Sequence, residues 1–293
     1  LNVSRSYLQV DSAVKKISNY ITRKVGDKLN SLFKKDRKKY EEKWNDIKII
    51  IEYGMLSEDK FFEKSDSFSI YPDSNNNFYT FDELIKNIKK SQTDKDGKTI
   101  ILYASNVDEQ DSYIKAAESK GYKVLLLDSP IVPHLIQKLE SKKENISFAR
   151  VDSDSIDNLI KKEDNIISKL DDKEKDMLKT YIEEVIPKEK YTIQLEALDS
   201  KELPFIITQP EFMRRMKDMQ QSGGNNMFGS MPEIHNVIIN VNNDLVNTIF
   251  SSKSKAKRER LIKQSLDLAR LSQNLLKGEE LTSFIKRSFD IIK

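Results

Sequence analysis

At 293 residues and 34.1 kDa the chain exceeds a typical single domain, so two units of about 150 residues each are expected. A net charge of only +3, with 38% hydrophobic and 33% charged residues and a mean hydropathy of -0.61, describes a soluble globular protein and argues against a dedicated nucleic-acid binder. The lack of cysteine excludes disulfides, thiolate catalysis and thiolate metal sites and suits a cytoplasmic setting, while no apolar run approaches the roughly 20 residues of a membrane span.

In chain order, Val10, Val14, Ile17, Ile21, Val25, Leu29, Leu32 and Phe33 recur every three or four residues, which predicts a long amphipathic helix from Ser4 onward. Its other face is basic, since residues 1–44 hold twelve Lys/Arg against five Asp/Glu. A short helix over 36–46 follows, with Tyr40 and Trp44 four residues apart on one inward-facing side. Residues 65–77, rich in Ser, Asp and Asn and containing Pro72, predict a surface loop before a helix that starts near Thr80. Thr99 to Tyr103 and Tyr122 to Leu127 are short apolar strands on either side of a helix through Tyr113, Ile114 and Ala117. That order predicts a βαβ unit with a buried parallel sheet. The first domain, 1–152, is therefore expected to be α/β, with helices over 4–46 and the βαβ unit within 80–150.

The pattern breaks around 150–155, and the domain boundary is placed there. An acidic helix is expected over 156–186, where residues 155–186 carry nine Asp/Glu against six Lys/Arg. Strands are predicted over 191–198, 205–208 and 235–241, with a helix at 211–220 and a Gly/Asn/Ser loop through Ser230 before the last strand. From Asp244 the pattern is helical to the end, broken at Gly278. The second domain, 153–293, is expected to be α+β: a three-stranded sheet with helices and a terminal helical hairpin.

Three constellations bear on function. Ser4 suits a helix cap, but Arg5 then faces the positive end of the helix dipole, which costs a few tenths to about 1 kcal/mol unless an anion is present. Gln9 lies one turn further on, so both side chains share a face, and a guanidinium fork matches phosphate oxygens. On local physics alone a plain surface arginine remains the alternative. Second, Met213, Met216, Met219, Met227 and Met231 are five of seven methionines and fall within nineteen residues, beside Phe212 and Phe228. Phe212, Met216 and Met219 share a helical face, with Met213 beside it and Arg214 and Arg215 elsewhere. Such a stripe either packs on its own sheet or, beside the flexible Ser222-Gly-Gly-Asn-Asn226, offers an adaptable surface to many partners. Third, Leu261, Ile262, Leu266, Ala269, Leu275 and Leu276 on one helix and Leu281, Phe284, Ile285, Phe289 and Ile292 on the next form an apolar hairpin. It either docks on the chain's own sheet or pairs with a second copy as a four-helix bundle.

Other signals are weak. His134 and His235 are the only histidines and lie about a hundred residues apart, so a zinc or Ser-His-Asp site has little support. Asp128 ends an apolar strand, as catalytic groups of α/β enzymes do, yet no second acid, base or Gly-rich turn accompanies it. Six Lys/Arg between 253 and 263 lack an aromatic for base stacking. A small-molecule enzyme using the 99–128 βαβ unit and a basic nucleic-acid module are the alternative readings.

The opening Leu1-Asn-Val-Ser-Arg5, followed by Leu8-Gln9, resembles the middle-domain catalytic-loop signature of the heat-shock protein 90 chaperones, in their bacterial form. The likeness continues through Tyr40 with Trp44, Lys123 to Asp128, and Phe284-Ile-Lys-Arg-Ser288, so that it covers the chain in order. The resemblance implies a stress-response chaperone for ATP-dependent protein folding, of which this chain holds the C-terminal part of the middle domain and the C-terminal domain. It implies that Arg5 and Gln9 serve the γ-phosphate of ATP, held with Mg in a separate N-terminal ATPase domain, by electrostatic stabilisation. The family usually has Glu where this chain has Ser6, which leaves open what replaces that contact. No G-x-x-x-x-G-K or G-x-G-x-x-G run occurs, so no ATP hydrolysis is expected of this chain alone, nor any cofactor within it. The resemblance also implies that Phe212, Met213, Met216, Met219, Met227 and Phe228, with Trp44, contact non-native client proteins. Homodimerisation is expected through 253–293, by Leu261, Ile262, Leu266, Leu275, Leu281, Phe284, Ile285 and Phe289, with neither nucleic acid nor membrane as a partner.

Overall fold

The breaks in periodicity are mostly where helices and strands end, and the computed structural model describes residues 12–162, 166–210, 212–215 and 235–292. Contacts gather the chain into two units, Leu1–Asn87 with Ser129–Lys143, and Ile88–Asp128 with Glu144–Lys293. The boundary expected at 152/153 lies inside the second unit.

The first unit begins with α1 (Ser12–Lys35) and α2 (Arg37–Glu42), separated at Asp36, whose carboxylate accepts the Lys39 N–H and caps α2. The helix expected over 36–46 breaks at Lys43, and α3 (Trp44–Ser57) runs on through the apolar residues 47–51. Trp44, Ile51 and Met55 recur at helical spacing and form its buried face. Phe33, Tyr40 and Trp44 stack in sequence, with ring centroids 5.5 and 6.3 Å apart. Trp44 is 3% exposed, which corrects its assignment as a client contact: its indole is consumed by this aromatic stack. Next, α4 (Asp59–Ser65) closes on α3 at Gly54, where a Cβ would lie 2.8 Å from the Phe61 ring. The apolar side of α1 is more open than its pattern suggests, for Ile17, Tyr20, Ile21, Val25 and Leu32 are exposed.

The loop expected over 65–77 is not wholly at the surface, because Phe68, Ile70 and Tyr71 are buried. It holds a small hairpin of β1 (Tyr71–Pro72) and β2 (Phe78–Tyr79), tied by the Asp73 carboxylate, which accepts the N–H groups of Asn75 and Asn77. Thr80 and Glu83 bond reciprocally at the start of α5 (Phe81–Ile88). Arg37 grips the same Glu83 with both terminal nitrogens, at 2.6 and 2.9 Å.

In the second unit β3 (Thr99–Ala104) is buried along its whole length, α6 (Val107–Ser119) is capped by Asn106, and β4 (Val124–Leu126) pairs parallel to β3. The helix that follows, α7 (Val132–Lys142), belongs to the first unit and packs against α3 with Val132, Leu135, Ile136 and Leu139 buried. A third parallel strand, β5 (Ile146–Arg150), completes the order β4-β3-β5. The acidic helix expected over 156–186 is two helices, α8 (Ile156–Leu159) and α9 (Asp172–Glu183). Asp171 and Glu174 form a capping box that starts the second afresh.

The remaining strands, β6 (Tyr191–Glu196), β7 (Phe205–Thr208) and β8 (His235–Asn240), form the expected three-stranded sheet in the order β6-β8-β7, with β6 parallel and β7 antiparallel to β8. Helices α10 (Asp244–Ser251), α11 (Lys255–Ser272) and α12 (Gly278–Ile292) complete the chain. Leu178 and Ile182 of α9, Val246 and Ile249 of α10 and Ile262 and Leu266 of α11 share a core with Ile193, Phe205, Ile207, Val237 and Ile239 of the sheet. The two sheets of this unit are joined by polar contacts: Tyr113 Oη donates to the Ile207 carbonyl, the Gln209 N–H to the Asp152 carbonyl, and Ser155 and Asn158 to the Glu196 carboxylate. The architecture is thus α/β and α+β, as the sequence pattern predicts.

The Arg37 guanidinium holds the Glu83 carboxyl down to about 2, well below its ordinary 4.5. A depressed folded-state pKa contributes stability above the unfolded value that is lost as pH falls through the folded value. The pair is partly exposed, so Glu83→Gln is expected to cost only about 1 kcal/mol at pH 7. In urea unfolding, the difference between wild type and variant should shrink steadily as the pH is lowered from 4.5 toward 2.

Candidate functional site

After β7, Gln209 and Pro210 lead into a helical turn, residues 212–215, opened by the bond from the Arg214 N–H to the Pro210 carbonyl. Its amphipathicity is inverted. Arg214 is 3% exposed and donates through Nη2 to Tyr103 Oη on β3, with its guanidinium carbon 5.5 Å from the centre of that ring. Arg215 donates to the Phe148 carbonyl of β5 at 2.7 Å. Phe212, by contrast, is 72% exposed, and Met213 is half-buried. Burying a guanidinium costs several kcal/mol before hydrogen bonds and ring contacts offset it, so the turn is held with Arg214 inward and Phe212 outward. Met216, Met219, Met227, Phe228 and Met231 lie outside the described residues, as do Arg5 and Gln9.

The terminal hairpin divides its apolar residues between two uses. Ile262 and Leu266 belong to the core under the sheet, and Phe284 is buried as well. This corrects their assignment to a dimer face: α11 docks on the chain's own sheet, the alternative left open by the sequence. Leu261, Leu275 and Leu281 are half-buried. Ile285 and Phe289 remain exposed, one turn apart on α12, together with Leu268 and Leu271 on α11. Leu268, two turns on from Leu261 along the same side of α11, and Leu271, one turn beyond Leu268, were not among the expected dimer residues.

A buried carboxylate fixes α12 to α11. Asp267 accepts from Arg270 at 3.2 Å and from Arg287 of α12, while Arg287 Nε reaches Gln264 at 3.0 Å. Gln264 donates to Ser288 at 2.9 Å, and Arg270 also pairs with Glu280, whose carboxyl it holds below the usual range.

Asp128 is exposed beyond β4, and among the described residues no group of three His, Cys, Asp or Glu is placed to hold a metal ion. A polar cleft of about 270 Å³ does lie at the carboxyl ends of β3 and β5, lined by Ser105, Gln110, Arg150, Asp152 and His235. Its charges face each other, however, with Arg150 bound twice to Asp152 at 2.5 and 2.8 Å. Among the described residues no helix is long and apolar enough to cross a membrane.

Comparison with known proteins decides between the readings. The family described as Hsp90 protein matches residues 1–287. The chain belongs to the Hsp90 family. It is 40% identical over 360 residues to a chaperone protein HtpG of Bacteroides thetaiotaomicron, an alignment covering 100% of this chain and 53% of the relative. A chaperone protein HtpG of Porphyromonas gingivalis is 42% identical over 284 residues, covering 96% of this chain and 41% of the relative. The chain spans about half the length of these Hsp90 relatives, and neither the enzyme nor the nucleic-acid reading finds support among them.

The Asp267 network yields a contrast that urea denaturation can measure. Asp267→Asn leaves Arg287 facing a neutral amide at a buried position and should cost about 2–4 kcal/mol. Glu280→Gln, at the exposed rim, should cost less than about 1 kcal/mol.

Proposed function

We propose that this Hsp90-family chain is the C-terminal part of a molecular chaperone and holds non-native polypeptide on the surface that begins at Phe212 and Met213. The observation that carries the reading is the inverted turn, which buries two cations' polar contacts and leaves a large aromatic in water. The Met-rich residues Met216, Met219, Met227 and Phe228 extend that surface in the proposal, because thioether side chains adapt to ligands of varied shape. Residues 1–152 correspond in this reading to the C-terminal part of the middle domain and 153–293 to the C-terminal domain. Arg5 and Gln9 serve ATP and Mg held by an N-terminal ATPase domain of the longer protein, so that hydrolysis belongs to the whole and not to this chain. The relatives in Bacteroides thetaiotaomicron and Porphyromonas gingivalis, both chaperone proteins, support the same assignment.

Two copies join through the side of α12 that carries Ile285 and Phe289, which are exposed one turn apart as are Leu268 and Leu271 on α11, since a homodimer buries the same apolar patch of each copy about a two-fold axis. The setting is cytoplasmic.

The test is suppression of aggregation of a thermally unfolded model protein by the 293-residue chain. Phe212→Glu is expected to abolish most of the protection while leaving the melting temperature unchanged; undiminished protection would remove this surface from the account. For the dimer, light scattering during size exclusion should give twice the chain mass for wild type and a single mass for the double variant Ile285→Glu, Phe289→Glu.

A further inference from the structure

The buried partner of the outward-facing turn is Tyr103, the fifth residue of β3, and its hydroxyl faces the chain's most deeply buried described arginine. Resting on the client-binding reading, we propose that Tyr103 and Arg214 are positioning residues: a latch by which the parallel sheet sets the facing of the client surface. Left to burial alone, a turn carrying Phe212, Met213, Arg214 and Arg215 would bury Phe212 and expose Arg214, which is the reverse of what is found. Among the described residues, the parallel sheet meets the turn's cations through the Tyr103 hydroxyl, the Tyr103 ring face and the Phe148 carbonyl. Tyr103 is itself immobilised, 2% exposed and edge-on to Phe148 with ring centroids 6.4 Å apart. The turn is therefore referenced to β3 and β5, although its own chain enters from β7 of the other sheet.

A latch that favours client binding must, by reciprocity, be tightened by client to the same degree. This separates positioning from a merely structural role, which client would leave unmoved. It also gives the sheet a means of regulating affinity: a shift of β3 relative to β7 changes the fraction of molecules whose turn faces outward, and the apparent affinity scales with that fraction.

The experiment uses the 293-residue chain and a fluorescently labelled, reduced and carboxymethylated lactalbumin as the non-native probe, with affinity read by anisotropy and backbone order by hydrogen exchange of the amides of residues 213–215. Tyr103→Phe keeps the ring and removes only the hydroxyl. It should weaken probe binding about fivefold, speed exchange at 213–215, and shift the melting temperature by less than about 2 °C. Arg214→Met should act in the same direction, and Arg214→Lys, which retains a donor cation, should stay within about twofold of wild type. Saturating probe should slow exchange at 213–215 in wild type, and by at least as large a factor in Tyr103→Phe. If Phe212→Glu weakens binding but Tyr103→Phe leaves both binding and exchange unchanged, the latch is overturned while the client reading stands. If Phe212→Glu binds like wild type, the client reading falls, and exchange alone decides the latch: acceleration in Tyr103→Phe upholds it as a clamp on the turn, and no acceleration overturns it. Should Arg214→Met fail to fold, Tyr103→Phe carries the test by itself.

Discussion

The guanidinium of Arg214 lies beneath the surface while Phe212, two residues earlier on the same turn, stands in water, and the functional reading of the chain depends on that inversion. Moving a cation out of water is costly, and the cost is offset only where hydrogen bonds and an aromatic face are already in place to receive it. Here they are in place because the parallel order β4-β3-β5 puts Tyr103 and Phe148 on adjacent strands. The bond from Tyr113 to the Ile207 carbonyl then brings the neighbouring sheet within reach. Without the first sheet, the turn after β7 would have no reason to bury charge and expose an aromatic.

The terminal helices answer the same question in the opposite way. Their pattern admitted both a self-docked hairpin and a self-associating one, and the structure divides the residues between the two. Ile262 and Leu266 close the core over the three-stranded sheet beside Leu178 and Ile182 of α9 and Val246 and Ile249 of α10. Asp267 then fixes α12 through Arg287, and the side of α12 bearing Ile285 and Phe289 is left outward. A buried carboxylate shared by two arginines is an orientation device as much as a source of stability, because its geometry is satisfied in only one register.

Much of the fold was legible from period and turn chemistry. Continuous apolar runs at 99–103 and 122–127 marked the parallel strands, and alternation at 235–241 marked the central strand of the second sheet. Strand β5 escaped because Ile146-Ser-Phe-Ala-Arg150 is short and follows a charged stretch, while its pairing with β3 is a tertiary fact. The break between α8 and α9 was hidden by even charge alternation, though Asp171 and Glu174 carried the capping signal. The site was less legible. Composition drew attention to the methionines, whereas Tyr103, which meets Arg214 of the turn bearing Phe212 and Met213, looked like one more apolar strand position. The burial of Arg214 could not be read from an amphipathic pattern, because that pattern assumes cations face water. Trp44 failed for the converse reason: an aromatic suited to binding had already been used by Tyr40.

The central claim is that the aromatic of the inverted turn touches non-native polypeptide directly. Replacing Phe212 by a photoreactive phenylalanine analogue, with the same analogue at the buried Phe284 as control, and irradiating in the presence of an unfolded model protein measures this without relying on loss of function. The account predicts a covalent adduct at 212 that competes away with unlabelled unfolded protein, and none at 284. Equal labelling at both positions, or none at 212 when the chain is active in suppressing aggregation, would contradict it.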